Sequence, residues 1–274
     1  MDWDVLEMTW PQVRTLGKLR RRVNVLCPMG SAITRSERVI RMSNGSREIA
    51  TFFEDIEFGG NENLRQREYR RDILRTLELH RESFAAHGWR VVQVGMEAAR
   101  SHPLFPWFDG LDWFYALSVN PPRYTRICYM RWLAYAASGL PFADLDVINF
   151  GFTPDDASPF FEAQLPSLIS AANAMGLLTA DHYTQIIDSF RHIVEHLDEY
   201  RHRIDDINDM TLLRHVRPEY NSAIPYADDR FVKDYSNPGW ETARLVHFAH
   251  GLTPMPRSQT IEAEMRARDA RRNS

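Results

Sequence analysis

Asp144 and Asp146 stand one residue apart in "GLPFADLDVINFGF" (Gly139–Phe152), with apolar residues on both sides. Residues i and i+2 of a strand project to one face, so a persisting strand would aim both carboxylates at one hard cation. Carboxylate and water ligation suits Mg²⁺ or Mn²⁺, which completes its shell with substrate phosphates. The same spacing recurs at Asp2/Asp4, Asp55/Glu57 and Glu262/Glu264, and a solvated strand end fits the bare pattern equally well. A second chemical motif is "HIVEH" (His192–His196), which matches the H-x-x-E-H zinc pattern. Ile186, Phe190, Ile193, Leu197, Tyr200 and Ile204 mark the buried face of its helix. Glu195 points away from that face and His192 lies round the side. His192 and His196 therefore read as solvated helix residues, with a zinc metallopeptidase as the remote alternative. Gly59-Gly60 lacks the Lys-Ser/Thr of a phosphate loop, and nothing matches G-x-S-x-G.

The elements around the carboxylate pair follow from periodicity and punctuation. "EIATFF" (Glu48–Phe53) reads as a strand, Glu62 to His87 as a helix ended by Gly88, and "WRVVQVG" (Trp89–Gly95) as a second strand. "MEAARSHP" is a short helix stopped by Pro103, and Pro122 to about Ser138 is a helix closed by Gly139. Tyr124, Ile127, Cys128, Met130, Leu133, Ala134 and Ala137 give that helix one apolar face. "FADLDVINF" is then a single strand carrying the pair. Beyond it, helices are expected over Pro166–Met175 and, from a cap at Thr179 or Asp181, to about Asp206; "TARLVHFAHG" reads as a strand or a helix end. Before Glu48, "RVNVLCPM" and "RVIRMSNGS" look like strands. Alternating strands and helices over the first half indicate an α/β fold with a mostly parallel sheet flanked by helices and a more helical C-terminal half. Such sheets bind ligands beyond the carboxyl ends of their strands, which is where the pair lies. The expected layout is an N-terminal extension over 1–45, a ligand-binding domain over 46–261, and an exposed helical tail over 262–274.

Composition narrows the partners. A formal charge of -4 leaves no broad cationic face for nucleic acid. The basic clusters "KLRRR" (Lys18–Arg22) and "RARDARR" (Arg266–Arg272) read as solvated ends and leave peripheral contact with anionic headgroups or polyanionic glycans open. Two cysteines, Cys27 and Cys128, suggest no disulfide framework and a reducing compartment. The acidic N-terminus lacks a signal-peptide pattern, and no apolar run is long enough to span a bilayer. A cytoplasmic protein without a transmembrane segment is expected.

Arg131 precedes the pair on the helix in "YTRICYMRWLAYAASGLPFADLDV". Helix, Gly turn and D-x-D strand in this order resemble the DXD-motif glycosyltransferases of GT-A fold. These include the initiation-specific α-1,6-mannosyltransferases, globotriaosylceramide synthase and, more remotely, the clostridial glucosylating toxins. "SFAAHGWRVVQVGMEAARSHPLFPWF" and "EIATFF" are similar to their upstream segments, and "ETARLVHFAHG" with Arg257 is similar to their C-terminal return. The likeness spans Glu48–Phe152 and, thinly, Ile207–Ile261. It implies a hexosyltransferase that moves sugar from a UDP- or GDP-sugar donor, with Mn²⁺ or Mg²⁺ and with retention, to a glycan, lipid-linked or protein acceptor. By the same resemblance Asp146 would bind the metal directly and Asp144 would contact metal or donor. Arg131 and Arg257 would meet the donor, His247 or His250 would complete the metal or diphosphate site, and Phe52 or Phe53 would stack on the base. No catalytic nucleophile or base is implied. Asp209 stands near where relatives carry an acidic residue on the acceptor side, and "HVRPEYNSAIPYADD" (His215–Asp229) is a candidate acceptor loop. Two positions depart from the pattern: Leu140 replaces a second glycine, and Cys128 stands where the toxins place a sugar-binding Asp. A relative that binds nucleotide or glycan without transfer is the alternative.

Overall fold

The computed structural model describes residues 47–55, 63–162, 167–168, 174–202, 204, 206–216, 232–249, 253–254 and 256–274. The readings before Arg47, the Gly59-Gly60 stretch, His250 and most of the candidate acceptor loop lie outside these residues. All described residues belong to one unit, Met42–Ser274.

The fold is mixed α/β. Strand β1 (Glu48–Phe52) lies between β2 (Arg90–Val94) and β3 (Phe142–Ala143) and runs parallel to both, with Ala50 opposite Val92 on one side and Phe142 on the other. Its near-continuous burial suits a central strand covered on both faces. Helix α1 (Leu64–Ala85) joins β1 to β2. Asn63 and Gln66 start it by exchanging side-chain and backbone hydrogen bonds of 2.9 Å, a capping box. It ends where Gly88 takes φ 83°.

After β2 come three short helices, α2 (Met96–Ser101), α3 (Phe105–Asp109) and α4 (Asp112–Tyr115), then the long α5 (Pro122–Ser138). Pro122 fits the first helical turn, where its missing N–H costs nothing. Gly139 at φ 64° closes α5 in the left-handed region that glycine tolerates. The buried side of α5 centres on Tyr129, Trp132, Leu133 and Tyr135. Tyr124 and Ala137, expected on the apolar face, are exposed instead. Tyr135 stacks on Phe142 with centroids 4.4 Å apart, which locks the helix to β3.

"FADLDVINF" is not one strand. After β3 the chain turns at Asp144–Asp146, closed by the Val147 N–H donating to the Asp144 carbonyl at 3.0 Å. It resumes as β4 (Val147–Asn149) in a different sheet. The apolar-polar alternation conceals the break because the residues on both sides of it are buried.

After helix α6 (Pro154–Glu162), strands β5 (Ser167–Leu168) and β6 (Met175–Leu177) extend the first sheet in the order β2-β1-β3-β6-β5. They occupy part of the stretch expected to be helical. Short apolar runs do not distinguish buried strand from helix. β6 runs antiparallel to both β3 and β5, so the sheet is mixed rather than mostly parallel. Gly176 is required there, because a Cβ would stand 2.4 Å from the Phe142 ring.

Helix α7 (Ala180–Glu195) starts at Thr179 as expected and buries Tyr183, Ile186, Ile187, Phe190 and Ile193. The helix expected to reach Asp206 breaks at His196, followed by α8 (Leu197–Tyr200), and α9 (Asp209–Val216) packs against α7. Strands β7 (Val232–Asp234) and β8 (Leu245–His247) form the second sheet, in the order β4-β8-β7. Helix α10 (Arg257–Arg272) is no exposed tail. It buries Arg257, Ser258, Ile261, Glu264 and Arg268 against the fold, and Arg268 donates to the Ala243 and Trp240 carbonyls at 2.7 and 2.6 Å. Among the described residues no helix is long and apolar enough to cross a membrane.

Candidate functional site

The turn Asp144–Asp146 forms part of a cavity of about 240 Å³ between α1 and α5. Each helix presents the i, i+3, i+4, i+7 row of a single face: Tyr69, Asp72, Ile73 and Thr76 from α1, and Tyr124, Ile127, Cys128 and Arg131 from α5. Phe52 from the end of β1 and Arg257 from the start of α10 complete the lining. Phe53 is buried at 8% exposure and is not among the lining residues.

The two carboxylates do not act as a same-face pair. Asp144 Oδ2 accepts from Arg131 at 2.8 Å, and its Oδ1 accepts from the Tyr135 hydroxyl at 3.3 Å. Asp146 Oδ2 accepts from Arg257 at 2.9 Å, and its Oδ1 faces His247 Nε2 at 3.5 Å. The turn thus sends one side chain towards α5 and the other towards α10 and β8.

Arg131 is the hub on the α5 side. Its other guanidinium nitrogen donates to Asp209 Oδ2 at 2.9 Å, an oxygen that also accepts from Trp132 Nε1 at 2.8 Å. Burial works against the Arg131 charge, and Asp144 and Asp209 outweigh it, holding the guanidinium firmly protonated. Asp209, whose part sequence reading left unassigned, is the buried counter-ion that anchors it.

Arg257 is held from the other side. Asp72 Oδ1 and Oδ2 accept the backbone N–H groups of Ser258 and Arg257 at 2.8 and 3.0 Å. Pro256 offers no side-chain cap at this helix start, so a residue from the middle of α1 caps α10 across the interface. Asp72 carried no sequence signal beyond its place in the Tyr69–Thr76 row.

On the β8 side, His247 Nδ1 lies 2.7 Å from Asp234 Oδ1. Burial lowers the His247 pKa, but Asp146, Asp234 and Asp144 more than offset this and raise it above the ordinary imidazole value. Burial likewise pushes the Asp144 carboxyl up; Arg131 opposes and Asp146 adds to the rise, leaving it at about 6. The Cys128 thiol is driven up to about 12 by burial and by Asp209, which makes it a protonated wall group and no nucleophile.

Acid outweighs base on and around the cavity: Asp72, Asp144, Asp146, Asp209 and Asp234 face Arg131, Arg257 and His247. Among the described residues no three His, Cys, Asp or Glu side chains are grouped to hold a metal ion. A Mg²⁺-type ion needs only one or two carboxylates when the ligand's phosphates and water supply the rest. Asp144 and Asp146 are the carboxylates that such an ion would meet here, each already accepting from an arginine.

Among the described residues the Nε atoms of Arg131 and Arg257 are buried without a hydrogen-bond partner. Buried guanidinium N–H groups are costly to leave unpaired, and both side chains line this cavity. His192 and His196 are surface residues elsewhere: their rings lie 4.3 Å apart, and His192 Nε2 is 3.1 Å from the Tyr200 hydroxyl. No family model, curated protein or solved structure matches this chain.

Proposed function

We propose that the chain is a GT-A-type glycosyltransferase that takes a sugar from a nucleotide-diphospho-sugar with the help of Mn²⁺ or Mg²⁺. The observation that carries this reading is the cavity itself. It joins two arginines with unpartnered buried N–H groups to an acidic turn and an aromatic wall of Phe52, Tyr69 and Tyr124. Guanidiniums suit phosphate oxygens, whereas the surrounding carboxylates would repel a bare diphosphate.

Asp144 and Asp146 would hold the cation together with the diphosphate oxygens and water. When bound it would neutralise the charge that builds on the leaving diphosphate as the glycosidic bond breaks. Arg131 and Arg257 would orient the diphosphate and share its charge through N–H donors fixed by Asp209 and Asp72. Fixed donors stabilise developing charge without reorganising during the reaction. Retention, the outcome expected from the resemblance, rests on such positioning and requires no enzymatic nucleophile.

Cys128 favours a second reading, in which the cavity binds nucleotide but does not transfer sugar. A protonated thiol cannot accept sugar hydroxyl bonds as a carboxylate would.

Calorimetric titration of UDP and GDP with and without Mn²⁺ tests the shared premise. Cation-dependent binding is expected, with a loss of at least about tenfold in Asp146→Asn, in line with removal of a charged ligand. No binding of either nucleotide in any condition would overturn both readings. Slow hydrolysis of a UDP- or GDP-sugar by the wild type separates transfer from binding alone.

A further inference from the structure

We infer that His80 and Thr51 are positioning residues that hold the Asp144–Asp146 turn in place from the chain on either side of it. Their role rests on the function proposed above, in which that turn meets the ligand. Neither residue lines the cavity, and both are fully buried.

The α1 face that lines the cavity continues inward. After Tyr69, Asp72, Ile73 and Thr76, the next residue of the row is His80, one turn beyond Thr76. Its ring reaches the chain just past the turn, with Nδ1 2.7 Å from the Val147 carbonyl oxygen. The other side of the ring meets β1, with Nε2 2.7 Å from Thr51 Oγ1. Thr51 Oγ1 in turn lies 3.0 Å from the carbonyl oxygen of Ala143, the last residue before the turn. Ala143, Thr51, His80 and Val147 thus form one buried polar chain that brackets Asp144–Asp146. Further along α1, the Ser83 hydroxyl donates to the His80 carbonyl at 2.8 Å and accepts from the Asn149 N–H at 3.1 Å. Helix α1 is therefore fastened to β4 at two places.

The hydrogen-bonding capacity of these groups fixes the ring. A carbonyl only accepts, so Nδ1 carries a proton. In the neutral ring Nε2 is then the lone-pair nitrogen and takes a donor. The Thr51 hydroxyl brings one proton to two acceptors, Nε2 and the Ala143 carbonyl. Removing it from a buried site is costly, because the acceptors lose the donor without gaining water. The turn closes on the same segment, through the Val147 N–H and the Asp144 carbonyl at 3.0 Å. A shift of Val147 therefore moves the backbone from which Asp144 and Asp146 reach Arg131 and Arg257.

The test compares wild type with Thr51→Val, which keeps the shape of the side chain, Thr51→Ser, which restores the hydroxyl, and His80→Phe. Circular dichroism identifies the variants that fold. NMR of ¹⁵N-labelled histidine is expected to show His80 protonated on Nδ1 in wild type. Thr51→Val should speed exchange of the Val147 amide roughly three- to tenfold, the scale of one lost hydrogen bond. It should weaken binding of UDP or GDP with Mn²⁺ by a similar factor, His80→Phe should weaken it at least as much, and Thr51→Ser should recover most of both losses. A His80 ring protonated only on Nε2 would overturn the arrangement. Unchanged exchange and affinity in Thr51→Val would overturn the role of both residues and leave the proposed function standing. Faster exchange with unchanged affinity would reduce them to supports of the fold and overturn their role in binding. Failure of wild type to bind either nucleotide overturns the proposed function and the role in binding with it, while the exchange rates still decide whether the two residues hold the turn.

Discussion

Arg131 owes its position to a fork. Two of its nitrogens reach two carboxylates, Asp144 and Asp209, from one planar group. A lysine ammonium keeps the charge but cannot span the same geometry. Arg131→Lys is expected to destabilise the protein by roughly 2 kcal/mol, the scale of one lost hydrogen bond to a charged group, as read from urea midpoints. Sequence reading placed Arg131, Asp144, Asp146, His247 and Arg257 together, and these five do converge. Its geometric reason, two side chains on one strand face, does not hold, because the i→i+3 turn separates their partners. Asp72 and Asp234 were not legible. Each pairs with groups on another element, and a single acidic residue carries no periodic signal.

Helix boundaries were the most legible elements, because capping chemistry is local. Pro122 and Gly139 bracket α5, and Thr179 starts α7. β5, β6 and the break between β3 and β4 were not legible, since strands of two or three residues are defined by their neighbours rather than by their own pattern. The cap that Asp72 gives α10 is an element-scale device with a measurable cost. Asp72→Ala should destabilise by about 1–2 kcal/mol, as loss of an N-cap does. On the proposed function it should also weaken nucleotide binding by freeing the first turn that carries Arg257. A fall in stability with unchanged nucleotide affinity would separate the cap from the site.

Two buried groups give the whole molecule opposing responses to acid. His80 is fully buried, with Nδ1 donating to the Val147 carbonyl at 2.7 Å and Nε2 against the Thr51 hydroxyl at 2.7 Å. Burial holds its pKa down from 6.5 to about 4. A depressed folded-state pKa means stability that is present above pH 6.5 and is lost as the pH falls towards 4, about 3 kcal/mol in all. Asp144 has the opposite sign. Burial raises it from 3.8 to about 6, so its contribution is complete below the lower value and is lost as the pH rises through the upper one. Asp144→Asn should therefore lose stability more steeply than wild type between pH 6.5 and 4, as read from urea midpoints across that range. Equal slopes in the two proteins would contradict the buried, proton-accepting Asp144.

The bond from Asp72 to the start of α10 joins residues 185 and 186 positions apart. A chain made on the ribosome releases its N-terminal part first, so Asp72, Arg131 and Asp144 emerge long before Arg257. Until the segment bearing α10 has followed, Asp146 lacks its arginine and Asp72 lacks the amides it caps. The cavity is thus completed late in synthesis, and nascent chains stopped before Arg257 should fail to bind the nucleotide proposed for it.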